Sequence, residues 1–290
     1  MSLVINHNMM AMNASRNLGQ SYSALETSTR RLSSGLRVGS ASDDAAGLAV
    51  RELMRADIQS LHQGVRNAND AISLIQTADG ALGVIDEKLI RMKELAMQAS
   101  TGTYNSDQRL IIDSEYQAMA SEITRIANST DFNGIYLLNG NLSGAHSGSG
   151  LQSTGKLKVH FGTGNDCAED YYYVEISSST SSSLGVGLAA SNSISTQALA
   201  QASLDTLNNA IISKDKIRAN LGSLQNRLEN TVTVLEIQAE NVQAAESRIS
   251  DVDVATEMTE FVRNQIKTQA AVSMLAQANS MPRMALSLIG

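Results

Sequence analysis

Four histidines, two adjacent aspartates, a single cysteine and one glycine-bearing hexapeptide are the residues of this chain whose types could carry chemistry. His7, His62, His146 and His160 are scattered among helical, loop and strand-like segments, with no Cys or carboxylate at ligand spacing, so no metal site is expected. Asp43 and Asp44 could be imagined as a paired acid and base. They stand immediately before a long helical pattern, however, where Ser42 or Asp43 can accept from free N–H groups and both carboxylates face the helix's positive end; capping explains them without catalysis. Gly185-Val186-Gly187-Leu188-Ala189-Ala190 fits the dinucleotide-binding spacing, but no compact βαβ unit surrounds it and a serine run precedes it. Cys167 alone excludes an internal disulfide and a multi-thiolate site. No nucleophile elbow, phosphate-loop lysine, zincin helix or calcium loop occurs. The chain reads as a non-enzyme without a cofactor.

The elements that would have to position such residues are long helices. Of 290 residues, aromatics make up 3%, there is no Trp, and Pro282 is the single proline, a composition that favours uninterrupted rods over a loop-rich catalytic domain. The formal charge of −7, from 22 basic against 29 acidic residues, argues against nucleic acid or an anionic membrane as partner. No run of about 18 apolar residues is present, and the first residues lack the basic flank and apolar core of a secretory signal, so the sequence by itself favours a cytoplasmic location.

Val4, Ala11, Leu18, Leu25 and Leu32 recur every seven residues, a seam that needs a partner helix. The polar stretch Leu32 to Val50, with Gly35 and Gly39, joins this helix to a second one predicted over Ala45 to Ala99. Gly64, Gly80 and Gly83 lie inside the second helix, each costing roughly 1 kcal/mol against Ala unless packing offsets it. A third helix is predicted from Ser106-Asp107 to about Asn128. Asn133-Gly134 and Asn139-Gly140 then signal tight turns around a β-hairpin. Ser143 to Thr154 and Ser177 to Ser183 read as loops or exposed linkers flanking two β-like segments, KLKVHF and YYYVEI. From about Ser195 the helical pattern returns, with Leu221, Leu228, Leu235, Val242 and Ile249 at intervals of seven. Ser250-Asp251 can cap a terminal helix that carries Val254, Met258, Phe261, Val262 and Ile266 and is predicted to end near Pro282.

The fold class that follows is mainly α: long antiparallel coiled-coil-like helices from both termini, with a β-hairpin and a small β-rich central insert. The chain goes out and comes back, bringing its ends side by side. So few large apolar residues line the terminal seam that it is expected to order only in an assembly.

With these residues laid out, the chain resembles the bacterial flagellins over its helical portion, from INHNMMAMNA through LSSGLRVGSASDDAAGLAV and DFNG to QANSMPRMALSLIG. The resemblance implies a filament subunit with an inner terminal-helix domain (1–43 plus 251–290), a middle helical rod with hairpin (44–140 plus 195–250) and a small outer variable domain (141–194). It implies polymerisation into a homopolymer at the filament tip through Val4, Ala11, Leu18, Leu25 and Leu32 with Met258, Val262, Ile266, Leu286 and Leu288. It also implies unfolded passage through a type III export channel, an export chaperone on the carboxy-terminal helix, cap and hook-junction proteins as partners, and an extracellular product. Arg91, Leu95 and Glu115 resemble the positions through which flagellins are read by a Toll-like receptor, and Leu286, Leu288 and Ile289 resemble the tail read by cytosolic immune sensors. Two alternatives stay open: a hook–filament junction protein with similar terminal helices, and a secreted coiled-coil module that grips another protein.

Overall fold

The computed structural model describes residues 7–149, 154–166, 169–187 and 193–289, with side chains as far as Met284. Helices dominate: α1 (Met9–Ser34), α2 (Ala45–Ser100) and α3 (Ser106–Ser129) are followed by four short strands, and α4 (Gln197–Ser250) and α5 (Val254–Ile289) complete the chain. Strands β1 (Asp131–Phe132) and β2 (Ile135–Tyr136) form one antiparallel pair, β3 (Leu157–His160) and β4 (Tyr171–Val174) another, in which Leu157 faces Val174 and His160 faces Tyr171. The chain divides into two compact units, Met1–Ile58 with Glu240–Gly290, and Gln59–Ala239. Both α2 and α4 contribute residues to each.

The unit of residues 59–239 is built on a three-and-four alternation along α2. Leu61, Ala68, Ile75, Leu82, Leu89 and Ala96 are buried at intervals of seven, and Ala71, Ala78, Ile85, Met92 and Ala99 fill the second row. On α3, Tyr116, Ala120, Ile123 and Ala127 join the same core; burial pushes the Tyr116 phenol up to about 12. On α4 the matching row is Ala200, Leu207, Leu221, Leu228 and Leu235, with Lys214 in the remaining place. Its ammonium, 1% exposed as a residue, donates to Asp86 Oδ1 at 2.6 Å and Asp215 Oδ1 at 2.7 Å. One turn on, Arg218 grips Asp79 with Nε at 2.7 Å and Nη2 at 3.0 Å. As α2 advances from Asp79 to Asp86, α4 runs back from Arg218 to Lys214, so the helices are antiparallel and these pairs set their register.

The small strands lie against this core. Asn133 and Gly134 both take positive φ, 52° and 79°, as a two-residue hairpin turn requires. Asn139-Gly140 forms a turn as well, closed by Ser143 N–H donating to the Gly140 carbonyl, but no strands flank it. Gly64 occupies a seam position of α2 where a Cβ would run into the Phe161 carbonyl of the β-insert, and Asn67 Nδ2 donates to His160 O at 2.8 Å beside it. Close approach of backbone to helix is what this glycine permits.

Two sequence expectations are corrected. Ser177 to Ser183 is a loop but not exposed throughout: Ser177, Ser182 and Ser183 face solvent, whereas Ser179 and Ser181 are buried, Ser179 N–H donates to Leu138 O, and the Ser181 and Thr124 hydroxyls meet at 2.7 Å. Pairing with Thr124 satisfies the Ser181 hydroxyl and the Leu138 carbonyl satisfies the Ser179 N–H, whereas the Ser179 hydroxyl is buried without a hydrogen-bond partner. The terminal helix does not stop near Pro282 but carries it internally and continues to Ile289. Cys167, Leu188, Ala189 and Ala190 lie outside the described residues.

Gly64→Ala is expected to destabilise the chain by about 1–3 kcal/mol through overpacking. Gly80→Ala, where nothing stands within 4 Å of an added Cβ, should stabilise it by about 0.5–1 kcal/mol through helix propensity. Urea unfolding of the two variants separates these effects. The hydrogen bond from Arg218 holds the Asp79 carboxyl below its ordinary value. Its contribution to stability is therefore present above pH about 4 and lost as pH falls through the lowered folded value. Asp79→Asn should flatten the acid limb of a stability–pH curve while leaving its alkaline limb unchanged.

Candidate assembly interface

In the unit that holds both chain ends, α1 stops at Gly35, whose φ of 72° and N–H to Arg31 O at 2.8 Å close the last turn. The next three residues run alongside the break between α4 and α5. Leu36 and Asp251 form an antiparallel bridge, Arg37 N–H donates to Ser250 O at 2.6 Å, and Val252 N–H donates to Gly35 O at 3.0 Å. The Arg37 guanidinium adds a bond to Ile249 O at 2.6 Å. Both strands of the chain thus change helix at one place and are stitched together there. Beneath the stitch Val38 is 1% exposed, and the buried Arg51 donates from Nη1 to its carbonyl at 2.6 Å while Nη2 holds Glu52.

The paired aspartates divide their work. Asp44, not Ser42 or Asp43, caps α2 by accepting from Gly47 N–H at 2.9 Å. Asp43 closes the loop by accepting from Gly39 and Ser40 N–H and from the Ser40 hydroxyl, and it anchors Arg30 of α1 at 2.7 Å. At the second break the cap is Asp253 rather than Ser250-Asp251. It accepts from Ala255 and Thr256 N–H and from the Thr256 hydroxyl, bonds that hold its carboxyl below the usual range.

Helix α1 packs on α5. Its seven-residue row Ala11, Leu18, Leu25 and Leu32 is half-buried, with Ser28 the buried residue. The α5 seam is Glu257, Asn264, Thr268 and Ala278, all buried, with Phe261, Ala271 and Leu275 half-buried between them. Glu257 stands 3.6 Å from Arg31. Of the apolar residues expected on α5, Phe261 lies in this seam, whereas Met258, Val262 and Ile266 are 44%, 44% and 61% exposed and, with Val254, form a stripe at intervals of four. Within α5 the seam follows the repeat of Glu257, Asn264, Ala271 and Ala278 at intervals of seven, with Phe261 beside it. Val4 and the side chains of Leu286 and Leu288 lie outside the described residues.

In the other unit, Arg91 of α2 and Glu115 of α3 are brought together, with Nε at 3.0 Å and Nη2 at 2.8 Å from Oε1, and Arg91 Nη1 also reaches Glu94. Leu95 does not join them on the surface: it is 2% exposed and belongs to the core. Among the histidines, His146 Nδ1 lies 2.8 Å from Lys156 O and His160 stacks near Tyr171. No group of three or more possible metal-binding side chains gathers among the described residues. Nor is any described helix long and apolar enough to cross a membrane.

A mainly helical chain whose terminal helices pair, with an apolar stripe left exposed on α5, defines a class of long-helix proteins. Residues 5–143 match the bacterial flagellin N-terminal helical region and residues 204–289 the bacterial flagellin C-terminal helical region. A flagellin of Halalkalibacterium halodurans is 42% identical over 99% of this chain and 100% of its own length. Flagellin FlaB2 of Treponema pallidum is 40% identical over 99% and 100%. A flagellar hook-associated protein from Vibrio parahaemolyticus shares the fold with a TM-score of 0.56 at 14% identity, over 72% of this chain and 100% of that one. The chain belongs to the bacterial flagellin family, a family of structural proteins, and is a filament subunit of the bacterial flagellum.

Arg51→Ala removes a charged donor from a buried carbonyl and is expected to cost about 1.5–3 kcal/mol. Hydrogen exchange should report the loss at the Arg37 and Val252 amides, with the residue 59–239 core left unchanged.

Proposed function

We propose that the subunit polymerises through its terminal helix pair, and that the outward stripe Val254, Met258, Val262 and Ile266 docks on neighbouring copies. The observation that carries this is the exposure of that stripe: apolar residues at intervals of four along a helix whose other face is already occupied leave a contiguous patch that association would cover. Ala11, Leu18, Leu25 and Leu32 serve inside the subunit, where half-burial against a small and polar α5 seam gives little stability alone; neighbouring copies complete the order of both helices. Val4, Leu286 and Leu288 extend the same assembly surface. In this reading residues 1–43 and 251–290 form the inner layer, 44–140 and 195–250 the middle rod, and 141–194 the outer domain.

The subunit leaves the cell unfolded by a flagellar type III route, escorted by a chaperone on the carboxy-terminal helix. It is placed under the filament cap beyond the hook-junction proteins, and acts outside the cell without catalysis. The ion-paired Arg91 and Glu115 are the charged surface a Toll-like receptor would read, with buried Leu95 supporting the helix beneath. A filament role rather than a junction role is supported by the presence of the whole DDAAGLA stretch together with the hairpin, and by flagellin relatives along the full length.

Purified chain added to short filament seeds should elongate them to micrometre fibres under a suitable salt condition. Ile266→Asp combined with Val262→Asp should abolish elongation, seen by light scattering and electron microscopy, while the thermal unfolding of the residue 59–239 core is retained. Elongation at the wild-type rate by the double variant would remove this stripe from the interface.

A further inference from the structure

Pro282 stands inside α5, four residues beyond Ala278. Because proline has no N–H, this turn cannot supply the helix bond to the Ala278 carbonyl. Ala278 is 7% exposed, so bulk water is not freely available as a substitute. The donor is the side chain of Asn8, whose Nδ2 lies 2.8 Å from that carbonyl. The other end of the same amide is also used: Asn8 Oδ1 accepts from Ala11 N–H at 3.0 Å and caps α1. The partners fix the amide's orientation, since one is a donor and the other an acceptor.

We infer that Asn8 and Pro282 form a register lock between the two terminal helices. The rest of the seam specifies register weakly. Along α5 the row Asn264, Ala271 and Ala278 is small or polar, and a slip by seven residues, about 10 Å along the helix, would replace one member of that row by another. The Asn8 amide distinguishes these positions. Every other carbonyl of the α5 interior has a backbone N–H four residues on to serve it, whereas Ala278 has none, so only one register both caps α1 and fills the proline gap. At the far end Arg31 meets Glu257 and Leu36 bridges Asp251. Going from Asn8 to Leu36 along the first strand, the partner steps back from Ala278 to Asp251 by nearly the same number of residues, so the helix pair is held in one register at both ends. Within the filament reading, on which its biological use rests, the lock presents the α5 stripe at a single height to each neighbouring copy.

The test is a double-mutant cycle in the full-length chain, read by the rate of tryptic cleavage after Arg16, both for the free subunit and after seeded elongation. Asn8→Ser keeps a capping oxygen but cannot reach Ala278, and should speed cleavage about tenfold. Pro282→Ala restores the backbone N–H, and in that background Asn8→Ser should change the rate by no more than about twofold. An equal effect of Asn8→Ser in both backgrounds overturns the lock, as does equal cleavage of wild type and Asn8→Ser in both states. If coupling is found but seeds never elongate, the filament reading fails and the lock stands; if filaments grow without coupling, the lock fails and the filament reading stands.

Discussion

The three-and-four alternation of apolar residues along α2 is the constraint on which the structure depends. Leu61, Ile75, Leu82 and Leu89 are each buried to 2% or less, and α3, α4 and both small strand pairs contribute to the core they define. Hydrophobic burial has no direction, so this seam by itself would tolerate sliding. Direction comes from Lys214 and Arg218, whose pairing with Asp86 and Asp79 is available in one antiparallel register. Association of apolar rows and specification by a few charged pairs, of which only Lys214 is buried, are separate jobs given to separate residues.

The terminal pair inverts that plan. Its buried residues are Ser28, Glu257, Asn264, Thr268 and Ala278, with Phe261 and Leu275 half-buried among them, while Val254, Met258, Val262 and Ile266 of α5 are exposed. Such a seam buries less apolar surface than the α2 row does; in the proposed assembly the exposed stripe is the surface on which further contacts form. The large apolar core is thereby concentrated in residues 59–239, and in the proposed assembly the association falls to the helices at the chain ends. The stitched joint, where Leu36 and Arg37 bond to residues 249–251, links the paths of the two chain ends without a covalent staple.

Much of this was legible from residue order. Helix positions follow from apolar periodicity, and α2, α3 and α4 begin and end within a few residues of the expected places; Gly35 closes α1 and Asn133-Gly134 turns the hairpin as local signals, whereas the cap of α3 is Asn105, paired with Gln108, rather than Ser106-Asp107. The family follows from stretches at both ends, DDAAGLAV and QANSMPRM among them. Arg91 and Glu115 meet because the turn between α2 and α3 returns the chain on itself.

What only the tertiary structure decided concerns residues whose role depends on what faces them. Leu95 and Ile266 are both large and apolar, yet one is core and the other open surface, because helical spacing fixes which residues share a face and not which face is covered. Ser179 is buried where the Leu138 carbonyl, beyond β2, accepts its N–H. Asp43 and Asp44 look equivalent in sequence and differ because Arg30 stands near one and the Gly47 N–H near the other. Pro282 reads as a helix end to any local rule, and the Asn8 amide that serves its orphaned carbonyl comes from the opposite end of the chain. Sequence by itself determined the periodicities, the turns and the family; which surface each periodicity covers was settled by long-range contact, since burial and hydrogen-bond pairing belong to pairs of segments.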